Sequence, residues 1–182
     1  TEDEYIFCKV KCLTQLVQLR KFVVQKLQEN FRAGDISMIV GDLNVDALNN
    51  DFTCGTVLRY VDMDEGLRDK LEDETNELKF YESVLQYDND VFKLRHVFYS
   101  DHGFYPITLG NYYTDEDGNK VPMECVITAE DERLDALSLD HIYEIGVRGF
   151  ETSRNVHIVP GSAKIEEFFV KGQPFTQLSD HY

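Results

Sequence analysis

The sequence predicts an α/β sandwich, and three features of the chain carry that prediction. The first is an apolar stripe with the spacing of one helix face, which ends before Gly34. The second is the apolar run at 36–40, which follows directly and is typical of a buried strand. The third is a group of strand-like segments near the end of the chain, at 137–145, 156–159 and 165–170. The helical stripe consists of Leu16, Leu19, Val23 and Leu27.

The middle of the chain supplies shorter elements. Residues 55–62 predict a short second helix. Between 62 and 87, leucines recur near helical spacing among Glu, Asp and Lys residues, which predicts an amphipathic surface helix. Residues 115–119 have the turn chemistry of a hairpin tip, because Asp117-Gly118 suits a positive φ. The leucines are Leu67, Leu71, Leu78 and Leu85.

The motif Gly41-Asp42-Leu43-Asn44 follows the strand at 36–40 and carries the first candidate chemistry. Side chains alternate along an extended backbone, so Asp42 and Asn44 are expected on one side and Leu43 on the other. A carboxylate can hold a hard divalent cation or a proton, and an amide can orient a water or a phosphate oxygen. The competing interpretation is a turn, because Asp and Asn after a strand often cap their own backbone.

Two further acidic motifs lie towards the end of the chain. Asp140 stands among apolar residues in the predicted strand at 137–145, where burial is costly unless the carboxylate has a partner, such as a histidine that it orients. The motif Ser179-Asp180-His181 comes one residue before the end. His141 is expected to pack in the core, since it alternates away from Asp140. The triplet Ser100-Asp101-His102 repeats Ser-Asp-His in a loop and is interpreted as a coincidence.

This ordered set of three motifs resembles the endonuclease/exonuclease/phosphatase superfamily, whose later half carries a Gly-Asp-x-Asn strand end, an Asp within a Leu-Asp-Tyr-Ile-like strand and a closing Ser-Asp-His. The stretches at 105–113, 139–145 and 175–181 are most similar to its neutral sphingomyelinase branch. The resemblance runs from about Leu13 to the end. It implies a two-sheet αββα sandwich of which only the second half is present, so residues 1–182 are interpreted as a partial catalytic domain truncated at both ends.

The resemblance also implies roles for five residues. Asp42 and Asn44 would contact the phosphate, the nucleophilic water or the leaving group. His181 would be the general base, and Asp140 would hold its imidazole in the productive tautomer. Asp180 would ligate the metal, which is expected to be Mg²⁺ or another divalent cation acting as Lewis acid and template.

Composition constrains the partners. The chain has 182 residues, with 18 basic and 34 acidic side chains, a formal net charge of −16 and a pI of about 4.6. Such a surface repels polyanions, so no nucleic acid partner is expected and a nuclease is disfavoured. A zwitterionic phosphocholine headgroup escapes this repulsion. The partner that the resemblance implies is a phospholipid substrate at a membrane surface, and protein partners are left open.

Neither the cysteines nor targeting signals define the compartment. The four cysteines lack metal-ligand spacing and are interpreted as free thiols. The sequence shows no signal peptide or transmembrane stretch, so a soluble chain is expected, with cytoplasm and secretion both open.

The function that the resemblance implies is metal-dependent hydrolysis of sphingomyelin to ceramide and phosphocholine by an activated water. The alternatives are an inactive remnant that acts as a binding module, or a nuclease or phosphoinositide phosphatase of the same superfamily. Half of a sandwich would leave one sheet face uncovered, so poor solubility is expected for the isolated chain.

Overall fold

A computed structural model describes residues 2–32, 34–52, 54–59, 64–87, 90–109, 112–114, 117, 120–122, 137–149 and 158–165. The elements of this part are, in chain order, α1 (Glu2–Asn30), β1 (Ser37–Asp42), α2 (Cys54–Leu58), α3 (Glu65–Leu71), α4 (Glu77–Gln86), β2 (Phe92–His96), α5 (Val97–His102), β3 (Tyr112–Thr114), β4 (Lys120–Pro122) and β5 (Asp140–Val147).

A three-stranded antiparallel sheet in the order β1-β5-β2 forms the centre of the fold. The alternation of side chains gives this sheet one apolar face, and the second half of α1 packs on it. Val23 and Leu27 of the helix meet Ile39 of β1 and Tyr143 of β5 in one buried cluster. The helical stripe and the strand predicted at 36–40 are therefore confirmed, and they are the two surfaces of the same core.

A second core surrounds the first half of α1. Leu13 and Leu16 of this helix pack with α2, α3 and α4 and with the segment that follows β1. Within that segment Val45 is fully buried and Ala47 is 3% exposed. Val45 and Ala47 thus anchor the connection after β1 in the core, while Asn44 is exposed; buried side chains are unusual in a connection between elements.

The helix predicted across 62–87 is two helices, α3 and α4, because two polar side chains cap helix starts within it. Asp64 accepts hydrogen bonds from the backbone of Gly66 and Leu67 at the start of α3. Asn76 accepts from Lys79 at the start of α4, and its amide also donates to the Ala47 carbonyl at 3.0 Å. The four leucines of the predicted stripe are nevertheless all buried.

The remaining predicted elements have mixed outcomes. The hairpin around 115–119 is confirmed, since Thr114 of β3 pairs with Lys120 of β4. The short helix predicted at 55–62 is α2, and the strand predicted at 137–145 is β5, which begins at Asp140. Of the strands predicted at 156–159 and 165–170, residues 158, 159 and 165 belong to no strand, and the rest lies outside the described residues.

The described part is a mixed α/β fold with this sheet and the separate β3-β4 hairpin, and a two-sheet sandwich is not shown. On the face of the central sheet away from α1, Met38 is 42%, Val40 63% and Ile142 39% exposed. These side chains form an exposed apolar patch on that face of the sheet. No helix in the described ranges is long and apolar enough to cross a bilayer.

Candidate functional site

Asp42 and Asp140 face each other at one end of the sheet, as the last pair in the register of β1 with β5. The next residues along, Leu43 and Leu139, are joined by a backbone hydrogen bond of 3.0 Å. Asp42 and Asp140 therefore occupy a position without direct backbone hydrogen bonds, where paired side chains come closest and Cα atoms are typically about 4.5 Å apart. Two predicted site residues from distant parts of the chain are thus brought together.

The prediction that Asp42 and Asn44 share one extended backbone is wrong. β1 ends at Asp42, and Asn44 has a left-handed backbone with φ of 52°. The backbone N–H of Asn44 donates to Asp42 Oδ1 at 2.7 Å, and this hydrogen bond closes a turn on the aspartate side chain. The turn interpretation and a site interpretation are compatible, because the turn uses one of the two carboxylate oxygens.

Asp42 and Asn44 nevertheless both line a cavity of about 780 Å³. It lies between this turn and the first half of α1. Cys12 Sγ lies 3.4 Å from the Leu43 carbonyl and joins the two walls. Burial raises the pKa of Cys12 to about 11, so this thiol stays protonated near neutral pH and acts as a donor. The helix side of the cavity is lined by Glu4, Tyr5, Cys8, Lys9, Lys11, Cys12, Gln15, Leu16 and Leu19.

The segment that leads into Asp140 is fixed by side chains on two sides. Thr108 Oγ1 accepts the backbone N–H groups of Leu139 and Asp140 at 2.9 and 3.0 Å. Asp46 Oδ1 accepts the N–H of Ser138 at 2.9 Å. Asp46 thereby ties the chain after β1 to the chain before β5. Thr108 and Asp46 could not be predicted as part of the site, because their partners are distant along the chain.

Two buried histidines lie behind the acidic pair. His141 is 1% exposed, as predicted for a core residue, and its Nε2 lies 2.9 Å from the Val45 carbonyl. Its Nδ1 lies 3.1 Å from Nε2 of His96. Burial, followed by the neighbouring His141, lowers the pKa of His96 to about 4. Burial also lowers the pKa of His141, so both rings are neutral near pH 7.

The second Ser-Asp-His triplet has a structural role. Asp101 Oδ2 accepts the Ala163 N–H at 3.1 Å, and His102 Nε2 lies 2.6 Å from the Ala163 carbonyl. These contacts tie α5 to a later segment. The predicted general base His181 and the predicted metal ligand Asp180 lie outside the described residues, so their roles stay predictions.

The described residues offer oxygen donors for a cation, although they form no complete ligand set. Within the described ranges, no three His, Cys, Asp or Glu side chains are grouped closely enough to bind a metal ion. Mg²⁺, however, is usually held by one or two protein carboxylates, with waters and substrate phosphates completing its shell. The facing carboxylates of Asp42 and Asp140 fit the protein share of such a site.

Two facing carboxylates at one end of a sheet in a mixed α/β fold, one of which lines a cavity together with Asn44, form a candidate hydrolase site. In sequence the chain is similar to a protein of Dictyostelium discoideum that is named a sphingomyelinase. The alignment of 194 positions shows 27% identity and covers 93% of this chain. The chain spans 40% of the length of that relative. No family model and no solved structure matches this chain. The similarity indicates a distant relationship to that protein.

Proposed function

We propose that this chain supplies catalytic residues to a Mg²⁺-dependent phosphodiesterase that hydrolyses sphingomyelin to ceramide and phosphocholine. The observation that carries the proposal is the pairing of Asp42 with Asp140 at one end of the sheet, together with the cavity that Asp42 and Asn44 line. The distant relative named a sphingomyelinase supports the choice of substrate. The net charge of −16 also favours a zwitterionic substrate over a polyanionic one.

In the proposed reaction a water attacks phosphorus in line with the bond to ceramide. The phosphorus–oxygen bond to ceramide breaks, the ceramide oxygen leaves and is protonated, and phosphocholine is released. His181 takes the proton of the attacking water, and Asp140 holds the imidazole of His181 in the required tautomer. The side-chain amide of Asn44 donates to a phosphate oxygen. Asp42 orients the water through the carboxylate oxygen that the turn does not use.

Protein carboxylates are also the groups that hold the cation. Asp180 would be the ligand implied by the family resemblance, and Asp140 would add the carboxylate oxygen that does not contact His181. When bound, Mg²⁺ supplies neutralisation of the negative charge that develops on the phosphoryl oxygens. The chain's own residues then have the tasks of binding, orienting and moving the proton.

Lys11 is proposed as the phosphate contact on the opposite wall of the cavity. Two lysines line that wall, but Lys9 is paired with the buried carboxylate of Glu77. Lys11 is exposed at the cavity, and its flexible ammonium suits a phosphate as a point charge. The positive charge of Lys11, in a chain that is otherwise strongly acidic, would favour binding of the phosphate end of the headgroup at this wall.

The test is phosphocholine release from sphingomyelin micelles with Mg²⁺, using the complete gene product that contains this chain. Asp140→Asn and His181→Ala should each lower kcat by roughly a hundredfold or more, because orientation and proton transfer each contribute on that scale. Asp69→Asn, at an exposed position on α3, is the matched control and should leave kcat unchanged.

Other outcomes would separate the alternatives. Cleavage of a nucleic acid or an inositol phosphate, with sphingomyelin untouched, would replace the substrate but keep the phosphodiesterase site. A folded protein that cleaves none of these esters would favour the non-catalytic binding module.

A further inference from the structure

The chain of hydrogen bonds through the two buried histidines has a single direction. The Tyr99 backbone N–H lies 3.2 Å from His96 Nδ1, so this nitrogen must accept. The neutral His96 ring therefore carries its proton on Nε2 and donates to His141 Nδ1 at 3.1 Å. His141 then carries its proton on Nε2 and donates to the Val45 carbonyl at 2.9 Å.

Packing fixes both rings in this arrangement. His96 is 7% exposed and His141 1% exposed. The rings of Tyr105 and Tyr143 each meet the His96 ring edge-on, with centroids 5.0 Å apart. A buried donor or acceptor left without its partner costs free energy, so a rotated ring or a different tautomer is disfavoured.

The chain of hydrogen bonds ends at the turn that carries Asn44. Val45 directly follows Asn44 and is fully buried. Asn44 has a left-handed backbone, which a residue with a side chain adopts at a cost and keeps only where its surroundings hold it. On β5, His141 points to the α1 face of the sheet while the preceding Asp140 points to the other face, beside Asp42.

We infer that His141 is a positioning residue that sets the turn bearing Asp42 and Asn44 relative to Asp140, and that His96 selects the tautomer of His141 that can do so. One short stretch of β5 thereby supplies both a carboxylate of the site and the anchor for the opposite half of the site. The inference rests on the proposed function for its catalytic consequence. The anchoring itself rests on the contacts alone.

Two substitutions of His141 separate anchoring from mere filling of the core. His141→Gln keeps an amide donor near the position of Nε2 and can still reach the Val45 carbonyl. His141→Asn places its amide near the position of Nδ1, close to His96, and is too short to reach Val45. Each variant loses one buried contact, so both should lower the melting temperature by similar amounts.

In the complete gene product we expect His141→Gln to keep kcat within about threefold, and His141→Asn to lower kcat by roughly tenfold to a hundredfold with little change in KM. Losses of this size follow when catalytic groups are misplaced by about 1 Å. Equal kcat values in the two variants would overturn the positioning role.

Two readouts do not depend on activity. Nitrogen NMR of the wild-type protein labelled at histidine should show both rings neutral and protonated on Nε2, and the Nδ1–H tautomer at His141 would contradict the inference. Hydrogen exchange of peptides covering 42–48 should accelerate in His141→Asn more than in His141→Gln. If tautomers and exchange behave as expected but no phosphodiester is cleaved, the anchor stands and the proposed function fails.

Discussion

Among single residues, Asp42 has two roles that its motif alone does not distinguish, which are closing a turn and supplying a charge to the candidate site. Its Oδ1 accepts the Asn44 N–H at 2.7 Å and closes the turn. Its carboxylate also faces Asp140 across the sheet, where two like charges are unfavourable unless a cation compensates them. The turn needs only an acceptor oxygen, whereas the proposed site needs the negative charge.

Asp42→Asn should therefore keep the fold and lose activity. The asparagine side chain retains an oxygen for the turn, so we expect the melting temperature to stay within a few degrees, while phosphocholine release falls by roughly a hundredfold with the loss of an orienting charge. Asp42→Ala removes the acceptor as well and should lower the melting temperature further. Thermal unfolding and activity are measured on the same samples, and full activity in Asp42→Asn would exclude the catalytic role.

Lys11 provides a second prediction at this scale. Lys11→Gln should raise KM for sphingomyelin several-fold and leave kcat nearly unchanged, because a headgroup contact made equally in the ground and transition states affects binding alone. Lys21→Gln is the matched control, since Lys21 is exposed on the same helix and does not line the cavity. Steady-state kinetics at fixed ionic strength measure both variants, and an equal effect of the two would reduce Lys11 to a general surface charge.

At the scale of elements, the site depends on how helix starts and strand ends are joined. Asn76 caps α4 and also binds the Ala47 carbonyl, so this helix and the chain after β1 share one side chain. His96 ends β2 and caps α5 through its ring. The cap Asn76 therefore couples α4 to the segment after Asp42, and the cap His96 couples α5 to the strand that carries Asp140. Loss of either cap should lower the stability of the protein and change the geometry of the candidate site.

The His96 cap makes stability depend on pH. The pKa of His96 is lowered to about 4 in the folded protein, against an ordinary value of 6.5, so the unfolded chain binds the proton more strongly. The free energy of unfolding should therefore fall as pH drops from about 6.5 to about 4, and this contribution should be level outside that window. Its size is at most on the order of 3 kcal/mol, since one pKa unit corresponds to about 1.4 kcal/mol.

Denaturant unfolding at several pH values would measure this dependence. His96→Gln is the reference, because glutamine does not titrate and cancels the contribution of the many carboxylates. The difference between the two proteins should shrink as pH falls from 6.5 to 4. A difference that stays constant over that range would show that His96 is not held neutral.

At the scale of the whole molecule, an acidic surface and an uncovered apolar face act against each other. The net charge of −16 keeps copies apart, whereas Met38, Val40 and Ile142 offer adjoining apolar area on one sheet face. Raising the salt concentration screens the repulsion and leaves the apolar attraction in place. We therefore expect the isolated chain to self-associate, and to do so more strongly at high salt.

Val40→Lys should increase the monomer fraction in sedimentation velocity experiments without lowering the melting temperature, because the side chain already faces solvent. Val159→Lys is the matched control, since Val159 is also 63% exposed but lies outside the sheet. Similar gains from both substitutions would show that added charge, and not this face, controls association. A monodisperse wild-type chain at high salt would contradict the prediction itself.

The elements that could be predicted from the sequence are those whose signals are local. The apolar spacing of α1, the strand before Asp42 and the hairpin around Asp117 follow from periodicity and turn chemistry, which neighbouring residues decide. The sequence missed the break between α3 and α4, because the caps at Asp64 and Asn76 outweighed a continuous leucine pattern. It also misplaced Asn44 on an extended strand, since a turn closed by the side chain of Asp42 ended the pleat.

Tertiary structure alone decided how the site is assembled. The pairing of Asp42 with Asp140 depends on the register of two strands, which each strand separately leaves open. The contact from His141 to Val45 spans 96 residues, and His96 had no signal at all in its own surroundings. Such contacts form only when distant segments are buried together, because burial is what makes each polar group require a partner. Local sequence therefore specified candidate residues, and packing selected which of them meet.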